Sequence, residues 1–598
     1  MEKTLSQTWD LDTIFEGGSH SEYLNQFMDE LENDLKALKT QLSKTSAPKT
    51  IEEPKNWKSY LHLLQSTSER IIEARAFIEC LIAQNVKDQQ AKVLNSAVTS
   101  LLAQFETCNT LIDSQMNNIS DDIWTALLAD SDLRDIAFSL NERRRNAQDK
   151  LSTREEQLVN ALSIDGYHGW SDMYDTIVGS MTIPFDHPEK GSLKLSVGQA
   201  NNLLSDPNRD IRKNAFKSLE KAWDEQAELS ASVLNHLAGF RLNLYEQRGW
   251  SDVLKEPLND NRMSKETLSV MWETINRFKP VFVKFLQRKA EYLGLEKLSW
   301  FDLEAPLSTS DKKIPYEEAA AFIIQHFNKF NPKMAEFAKS AIENRWIEAE
   351  DRPGKAPGGF CTSFPITKES RIFLTYSGSA DNVSTIAHEL GHAYHQHVMN
   401  GLPHFAQQYA MNVAETASTF AEMIVSDAAK QSAQTEEERL SFLDEKASRS
   451  VALLMNIHAR FLFETKFYEE RKKGLVSAER LNKLMLNAQK EAYCDALDVY
   501  HPAFWQSKLH FYITDVPFYN FPYTFGYLFS TGIYVKAREE GSAFAQKYDD
   551  LLRDTGRMTV EDLAKKHLNI DLTQPDFWRS ALDYCAKDVE EFLAATEK

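Results

Sequence analysis

The sequence predicts a mostly α protein with a small sheet set directly before one motif-bearing helix. Three observations predict it. Apolar residues recur at helical spacing over long stretches of the 598-residue chain. Strand-like runs are few and short, and the most turn-rich segment stands alone near the middle. Hydrophobic residues make up 42% and aromatics 11%, a composition that can fill a large core.

Along the chain, Glu22 to Leu42, Asn56 to Gln84 and Ala91 to Met116 carry the 3.6-residue apolar period, with short polar links between them. They predict a bundle-like N-terminal lobe. Thr153 to Ile164 reads as a further helix. From Tyr174 to Val197 the texture changes. Thr176-Ile177-Val178, Met181-Thr182-Ile183-Pro184 and Leu193-Lys194-Leu195 read as short strands of a hairpin. A boundary near residue 190 divides a helical N-terminal lobe, 1–190, from a second domain, 191–598.

Helices resume at Asp210 and run to about Glu348. Pro353-Gly354-Lys355-Ala356-Pro357-Gly358-Gly359 is the turn-rich run. Phe360 to Phe364 and Arg371 to Tyr376 follow it as strands. From Asp381 helix returns and persists nearly to the end. No internal repeat or low-complexity tract interrupts the pattern.

Charge narrows the function classes. The chain has 68 basic and 88 acidic side chains, a net charge of −20. Such a surface repels phosphate backbones and anionic lipid, which argues against nucleic acid or membrane as the main partner. The five cysteines, Cys80, Cys108, Cys361, Cys494 and Cys585, are scattered and odd in number. They make neither a disulfide framework nor a metal-ligand spacing, and predict reduced thiols in a cytoplasm. The first residues lack a basic-then-apolar leader, and no stretch approaches the ~20 apolar residues of a membrane span.

The chemistry concentrates in His388-Glu389-Leu390-Gly391-His392. Two histidines four apart on a helix lie one turn apart on one face, the spacing two imidazoles need to bind one zinc ion. Glu389 falls about 100° around the helix, beside the metal, where a carboxylate can take a proton from water. Ile386, Leu390, Ala393 and Tyr394 fall on the opposite face and predict core packing. Gly391 costs roughly 1 kcal/mol relative to alanine inside a helix, and a close approach by backbone or substrate would account for it. Histidine pairs on helices also occur as solvated or core groups, so the reading needs a third ligand.

Asn412 to Glu422 reads as a helix with few other charges, with Glu415, Ser418 and Glu422 on one face. Carboxylates among small and apolar residues are costly unless paired or metal-bound. Glu415 is assigned as the third ligand and Glu422 as the acceptor for a ligand imidazole N–H. Exchanged roles for the two glutamates, or a plain solvated face, stay open. His395 shares the motif face and reads first as a structural hydrogen-bonding group.

A second unusual run, His510 to Tyr527, is dense in aromatics. Tyrosine O–H and histidine N–H are suitable donors to the oxyanion of a tetrahedral intermediate. Tyr519, Tyr523 and Tyr527 recur every four residues, which predicts hydroxyls stacked along one helix face. Aromatic stripes at helical spacing are usually core, but beside the motif the reading is that one or two reach a cleft.

These residues carry a resemblance. His388 to Gln396, Glu415-Thr416-Ala417-Ser418 and Pro517 to Tyr523 together resemble oligoendopeptidase F, in the thimet oligopeptidase family of zinc metallopeptidases. The likeness covers roughly residues 200–590 by motif. It implies an almost wholly helical, zincin-like fold with a deep substrate channel, and cleavage of short peptides at internal bonds. It implies one zinc ion on His388, His392 and Glu415, with Glu389 as general base, and makes 191–598 the catalytic domain. It further implies that Tyr519 and Tyr523 stabilise the oxyanion, with His510 as a helper. The better-known branch of the family has its histidine closer to the first of these tyrosines, so the roles of His510 and Tyr527 carry over less directly.

The mechanism expected from this has the peptide lying as an extended strand beside Arg371 to Tyr376. The Gly354 to Gly359 loop is expected to move over it. A helical carboxypeptidase with the same zinc chemistry and a peptide-binding scaffold with a decayed site are the rival readings. Retention of both histidines, Glu389 and Glu415 weighs against the scaffold.

Overall fold

The computed structural model describes residues 5–50, 54–307 and 313–597. Among these, helices dominate, and the strands form one two-stranded and one three-stranded sheet. The chain gathers into two compact units, each built from three separate stretches. The first comprises Met1–Lys150, Lys312–Ala428 and Lys536–Asn569; the second comprises Leu151–Asp311, Ala429–Val535 and Ile570–Lys598.

In the first unit, helices Glu22–Lys44, Pro54–Gln84 and Gln89–Asn117 pack on one another as their apolar spacing predicts. Ser21 caps the first by accepting from the Leu24 N–H, and Leu24, Leu31, Leu35, Leu38 and Leu42 are buried along one stripe. Their core is continuous with Phe364 and Phe373 of the three-stranded sheet and with Met399. That sheet has Glu369–Phe373 in the middle, parallel to Ile347–Glu348 on one side and antiparallel to Phe360–Phe364 on the other. Helix Ala380–Met399, which carries the motif, packs on the Phe360–Phe364 strand and on the middle strand.

The second unit is organised on helix Arg209–Gln247, against which the hairpin Ile183–His187/Gly191–Leu195 lies. Helices Lys265–Tyr292, Glu436–Val451 and Pro575–Ala595 pack together, as do Ile457–Arg471 and Ala478–Ala492.

The structure corrects four expectations. Thr176-Ile177-Val178 is the end of helix Gly169–Ser180, not a strand; burial of Tyr174 and Ile177 on one face overrides the β-branched run. Ile372 and Phe373 lie in the middle of the sheet, paired on both sides, and Arg371 pairs with Thr362. The N–H groups of Leu374 and Tyr376 are also spent, on the carbonyls of Glu348 and Ala349. No further strand can add there; Phe360–Phe364 is an outer strand of the sheet, as is Ile347–Glu348. The Gly354–Gly359 loop is tied down rather than loose. Gly354 O accepts from Val86 N–H at 2.9 Å and Ala356 N–H donates to Ala83 O at 2.8 Å. Lys355 Nζ donates to the carbonyls of Glu350 and Leu374, each at 2.8 Å. Finally, the tyrosine stripe is not one helix face. Phe518 has φ 53°, a left-handed conformation that excludes helix, and the helix starts only at Phe521, two residues after Tyr519.

Candidate metal centre

The motif helix is started by a capping box. Ser379 accepts from Asn382 N–H at 3.2 Å while the Asn382 side chain accepts from Ser379 N–H at 3.4 Å. Its apolar face is buried as expected: Ile386, Leu390, Ala393 and Tyr394 are at most 1% exposed. Tyr394 donates to Asp549 at 2.7 Å and accepts from Asn331 at 3.1 Å, which pins the helix in roll. His395 is fully buried, stacked on Tyr409 and bonded to Thr555 Oγ1 at 2.8 Å. Its role is structural.

With that face fixed, His388 and His392 project together, ring centroids 4.9 Å apart. Glu415 reaches them from the break between two helices, Met411–Ala414 and Thr416–Ser432. The stretch read as one helix is thus interrupted at the carboxylate itself. Glu415 Oε2 lies 3.2 Å from His388 Nε2 and 3.5 Å from His392 Nε2. A tetrahedral ion with bonds of about 2.0–2.1 Å places its donor atoms about 3.3–3.4 Å apart. The two distances bracket that edge length. Among the described residues, His388, His392 and Glu415 form the group whose donor atoms all lie within 4.8 Å of one another.

The surroundings orient these donors. Glu422 Oε2 is 3.1 Å from His388 Nδ1, which directs the other ring nitrogen at Glu415. The His392 ring is hydrogen-bonded to the backbone of Ala414. Ser418 donates to Glu415 Oε2 at 2.7 Å. Burial pushes His392 down to about 4, so the ring is neutral at pH 7 and keeps a free lone pair. The His388 partnership pulls Glu415 down to about 2 against the cost of its burial, so it is a carboxylate. Two imidazoles and a carboxylate, both nitrogens held by neighbours, are a donor set that fits zinc.

Glu389 sits beside this group, 7% exposed. Its Oε2 is buried with no hydrogen-bond partner. Burial, reinforced by the Glu415 charge and opposed by His388, pushes its carboxyl up to about 7. Gly359 lies against it: a β-carbon there would stand 3.7 Å from Glu389 Oε1. The turn-rich run therefore ends at the general-base candidate, a role for its last glycine that sequence spacing did not indicate.

His510, Tyr519 and Tyr523 also come together, within the second unit. His510 is 5.1 Å from Tyr519 and 5.9 Å from Tyr523 between ring centroids, and all three are half-buried. Tyr527 does not join them. It is 9% exposed, with its hydroxyl 2.9 Å from Ser450 Oγ, so it belongs to the core. The segment bearing Tyr519 is held from beneath by residues far away in sequence. Arg241 donates to the carbonyls of Ile513 and Thr514, Tyr512 stacks on Tyr174 at 3.8 Å, and buried Glu464 binds the Phe518 backbone. No local pattern in the sequence marks Arg241 or Glu464 for this.

The profile of Peptidase family M3 matches residues 202–584, more than half of the chain, and that of Oligopeptidase F matches residues 115–183. The chain belongs to peptidase family M3. This family 3 peptidase is a metalloendopeptidase, a hydrolase of peptide bonds. It is 22% identical to an oligoendopeptidase F homolog of Lactococcus lactis over 100% of this chain and 98% of the relative. It is 23% identical to oligopeptidase PepF of Bacillus subtilis over 84% of this chain and 75% of the relative. In fold, the M3 chain matches a solved structure from Chlamydophila abortus with a TM-score of 0.84 at 19% identity, over 99% of each chain. The oligoendopeptidase-F structure from Enterococcus faecium matches with a TM-score of 0.70 at 17% identity, over 96% of this chain and 99% of that one. The mostly helical fold read from sequence and the oligoendopeptidase F resemblance both hold.

Proposed function

We propose that this M3 peptidase is a zinc-dependent oligoendopeptidase that cuts internal bonds of short peptides in the cytoplasm. The observation carrying the reading is the His388–His392–Glu415 trio beside the unpartnered, buried Glu389 Oε2. On this reading the two Nε2 atoms and Glu415 Oε2 hold one zinc ion. Bound zinc supplies a Lewis acid that acidifies water and polarises a carbonyl. Glu389, whose burial raises its proton affinity, takes the proton of the attacking water and returns it to the leaving amine. Glu422 keeps His388 in the productive tautomer, and Ser418 keeps the Glu415 carboxylate aimed.

Tyr519 and Tyr523, with His510, donate to the peptide carbonyl oxygen as it gains negative charge. Their hydroxyls stay protonated at neutral pH and so donate without titrating. This assignment follows the family's pattern at Pro517 to Tyr523. The free edge of Phe360–Phe364, next to Gly359 and Glu389, is where an extended peptide would pair. The family profiles fall on either side of residue 190, which supports 1–190 as a helical N-terminal lobe and 191–598 as the catalytic domain. The compact units cut across that division. Reduced, unpaired cysteines support a cytoplasmic setting. Among the described residues no helix is long and apolar enough to cross a membrane.

The test is mass spectrometry of a peptide library digested with and without a chelator. Internal cuts that vanish on chelation and return with zinc are expected. Release of single C-terminal residues would replace the reading with a carboxypeptidase. Cutting indifferent to the chelator would defeat it.

A further inference from the structure

Two cations of the second unit stand next to the His510–Tyr519–Tyr523 group, and the catalytic reading uses neither. Arg460 and Lys508 both lie over the ring of Phe504, at 5.2 Å and 4.8 Å. Arg460 donates from Nε to Asn456 at 2.8 Å and from Nη1 to Asn520 at 2.9 Å. A guanidinium has five N–H donors, so three remain after these two. Among the described residues, no carboxylate lies within ion-pair distance of either cation, and Lys508 makes no hydrogen bond.

Another donor at the same place is also unspent. Asn520 is 1% exposed, and its Oδ1 accepts from Arg460, which leaves its Nδ2 buried and unpartnered. Buried donors without acceptors are costly, and native structures hold few of them. Here one, Asn520 Nδ2, stands beside two cations with no carboxylate within ion-pair distance among the described residues.

The field of this cluster is felt by its members. Burial, then the Arg460 charge, then Lys508 hold His510 down at about 4. Burial and Arg460 hold Lys508 down at about 8, with Glu304 opposing. In a chain of net charge −20, two neighbouring half-buried cations without an ion-pair partner among the described residues are a local exception.

We propose that Arg460 and Lys508, with Asn520 Nδ2, form a subsite that binds a carboxylate of the peptide substrate. A planar guanidinium with free N–H groups and an ammonium beside it match two carboxylate oxygens. A short peptide brings such a group in two ways, at its free C-terminus or on an acidic side chain. The terminus is present on every short peptide, and a subsite for it would set how far the cut falls from the chain end. The proposal rests on the reading that His510, Tyr519 and Tyr523 face bound peptide.

The experiment compares KM for three matched peptides that share one internal cleavage site. One has a free C-terminus, one a C-terminal amide, and one a free C-terminus with an internal Gln→Glu change. The full-length enzyme should bind the free acid at least about tenfold better than the amide, the worth of one desolvated charge-assisted contact. In Lys508→Gln and Arg460→Gln that ratio should fall about fivefold or more, and Arg460→Lys should restore part of it. A gain confined to the internal Glu peptide, lost in the same variants, would assign the carboxylate to a side chain. Ratios that are the same in the enzyme and both variants would overturn the subsite while leaving the peptidase reading intact. Loss of all hydrolysis in the unmutated enzyme would strike the peptidase reading instead. Should Arg460→Gln fail to fold, Lys508→Gln decides alone, because Lys508 holds no hydrogen-bond partner whose loss would matter.

Discussion

Gly391 on the motif helix lies so close to Ala417 that a β-carbon placed there would stand 2.6 Å from the Ala417 carbonyl oxygen. The helix bearing both histidines and the helix following Glu415 therefore cross backbone against backbone. The crossing brings the carboxylate to the imidazoles. It is the close approach that a glycine inside this helix implied.

Gly391→Ala should force the two helices apart. Overpacking of this kind costs about 1–3 kcal/mol. A denaturant titration should show that loss, and metal content after dialysis should fall with it, because Glu415 is carried by the displaced helix. Unchanged metal retention would mean the crossing does not position Glu415.

Glu389→Gln should retain metal and lose turnover by roughly 10²–10⁴-fold, the usual contribution of a positioned general base. Metal analysis and steady-state kinetics on one peptide check both halves. Substantial activity would remove the base assignment.

The two glutamates separate by metal content. Glu415→Ala should leave the protein essentially metal-free, while Glu422→Ala should bind metal roughly 10–100-fold more weakly, through loss of the His388 Nδ1 contact. Competition with a chromogenic chelator measures both. The reverse ranking would exchange their roles.

Tyr523→Phe and Tyr519→Phe should lower kcat by up to about 10²–10³-fold with little change in KM. Tyr527→Phe should leave kcat unchanged, since its hydroxyl is spent on Ser450 inside the core. A large fall in kcat for Tyr527→Phe would move that residue into the chemistry.

Burial raises Glu464 from an ordinary value of about 4.5 to about 8, against the opposing Arg241 charge and the Phe518 N–H. A carboxyl raised on folding favours the native state below its unfolded value, and this advantage is lost as pH rises through the folded value. The gap in stability between Glu464→Gln and the parent should therefore move in favour of the variant from pH 4.5 to pH 8. Urea midpoints at pH 5, 7 and 9 test it. A gap that is flat with pH would mean that Glu464 is ionised in the native state.

What was legible in the sequence was local. His388, Glu389 and His392 sit within five residues of one another, and helical spacing alone places them on adjoining faces. The long N-terminal helices follow directly from their apolar period. Pairing across distance was not legible. Arg371 to Tyr376 reads as a strand, but nothing nearby says that Ile347–Glu348 closes its second edge. Thr176-Ile177-Val178 has strand propensity, and only burial of Ile177 makes it helix. The four-residue recurrence of Tyr519, Tyr523 and Tyr527 is real, but the left-handed turn at Phe518 breaks the helix that would have aligned them. Arg460 lies in helix Ile457–Arg471 and Lys508 in the link after Phe504–Ser507, and only the fold brings both onto Phe504.

The motif helix rests on a segment made long after it. Tyr394 is bonded to Asp549, and His395 to Leu552 and Thr555, in a stretch that follows the motif by about 150 residues. A ribosome that has finished the whole motif has therefore not yet made its seat. Over the roughly 150 residues that separate the two, a nascent chain carries His388 and His392 on a helix whose supporting partners are still to be made.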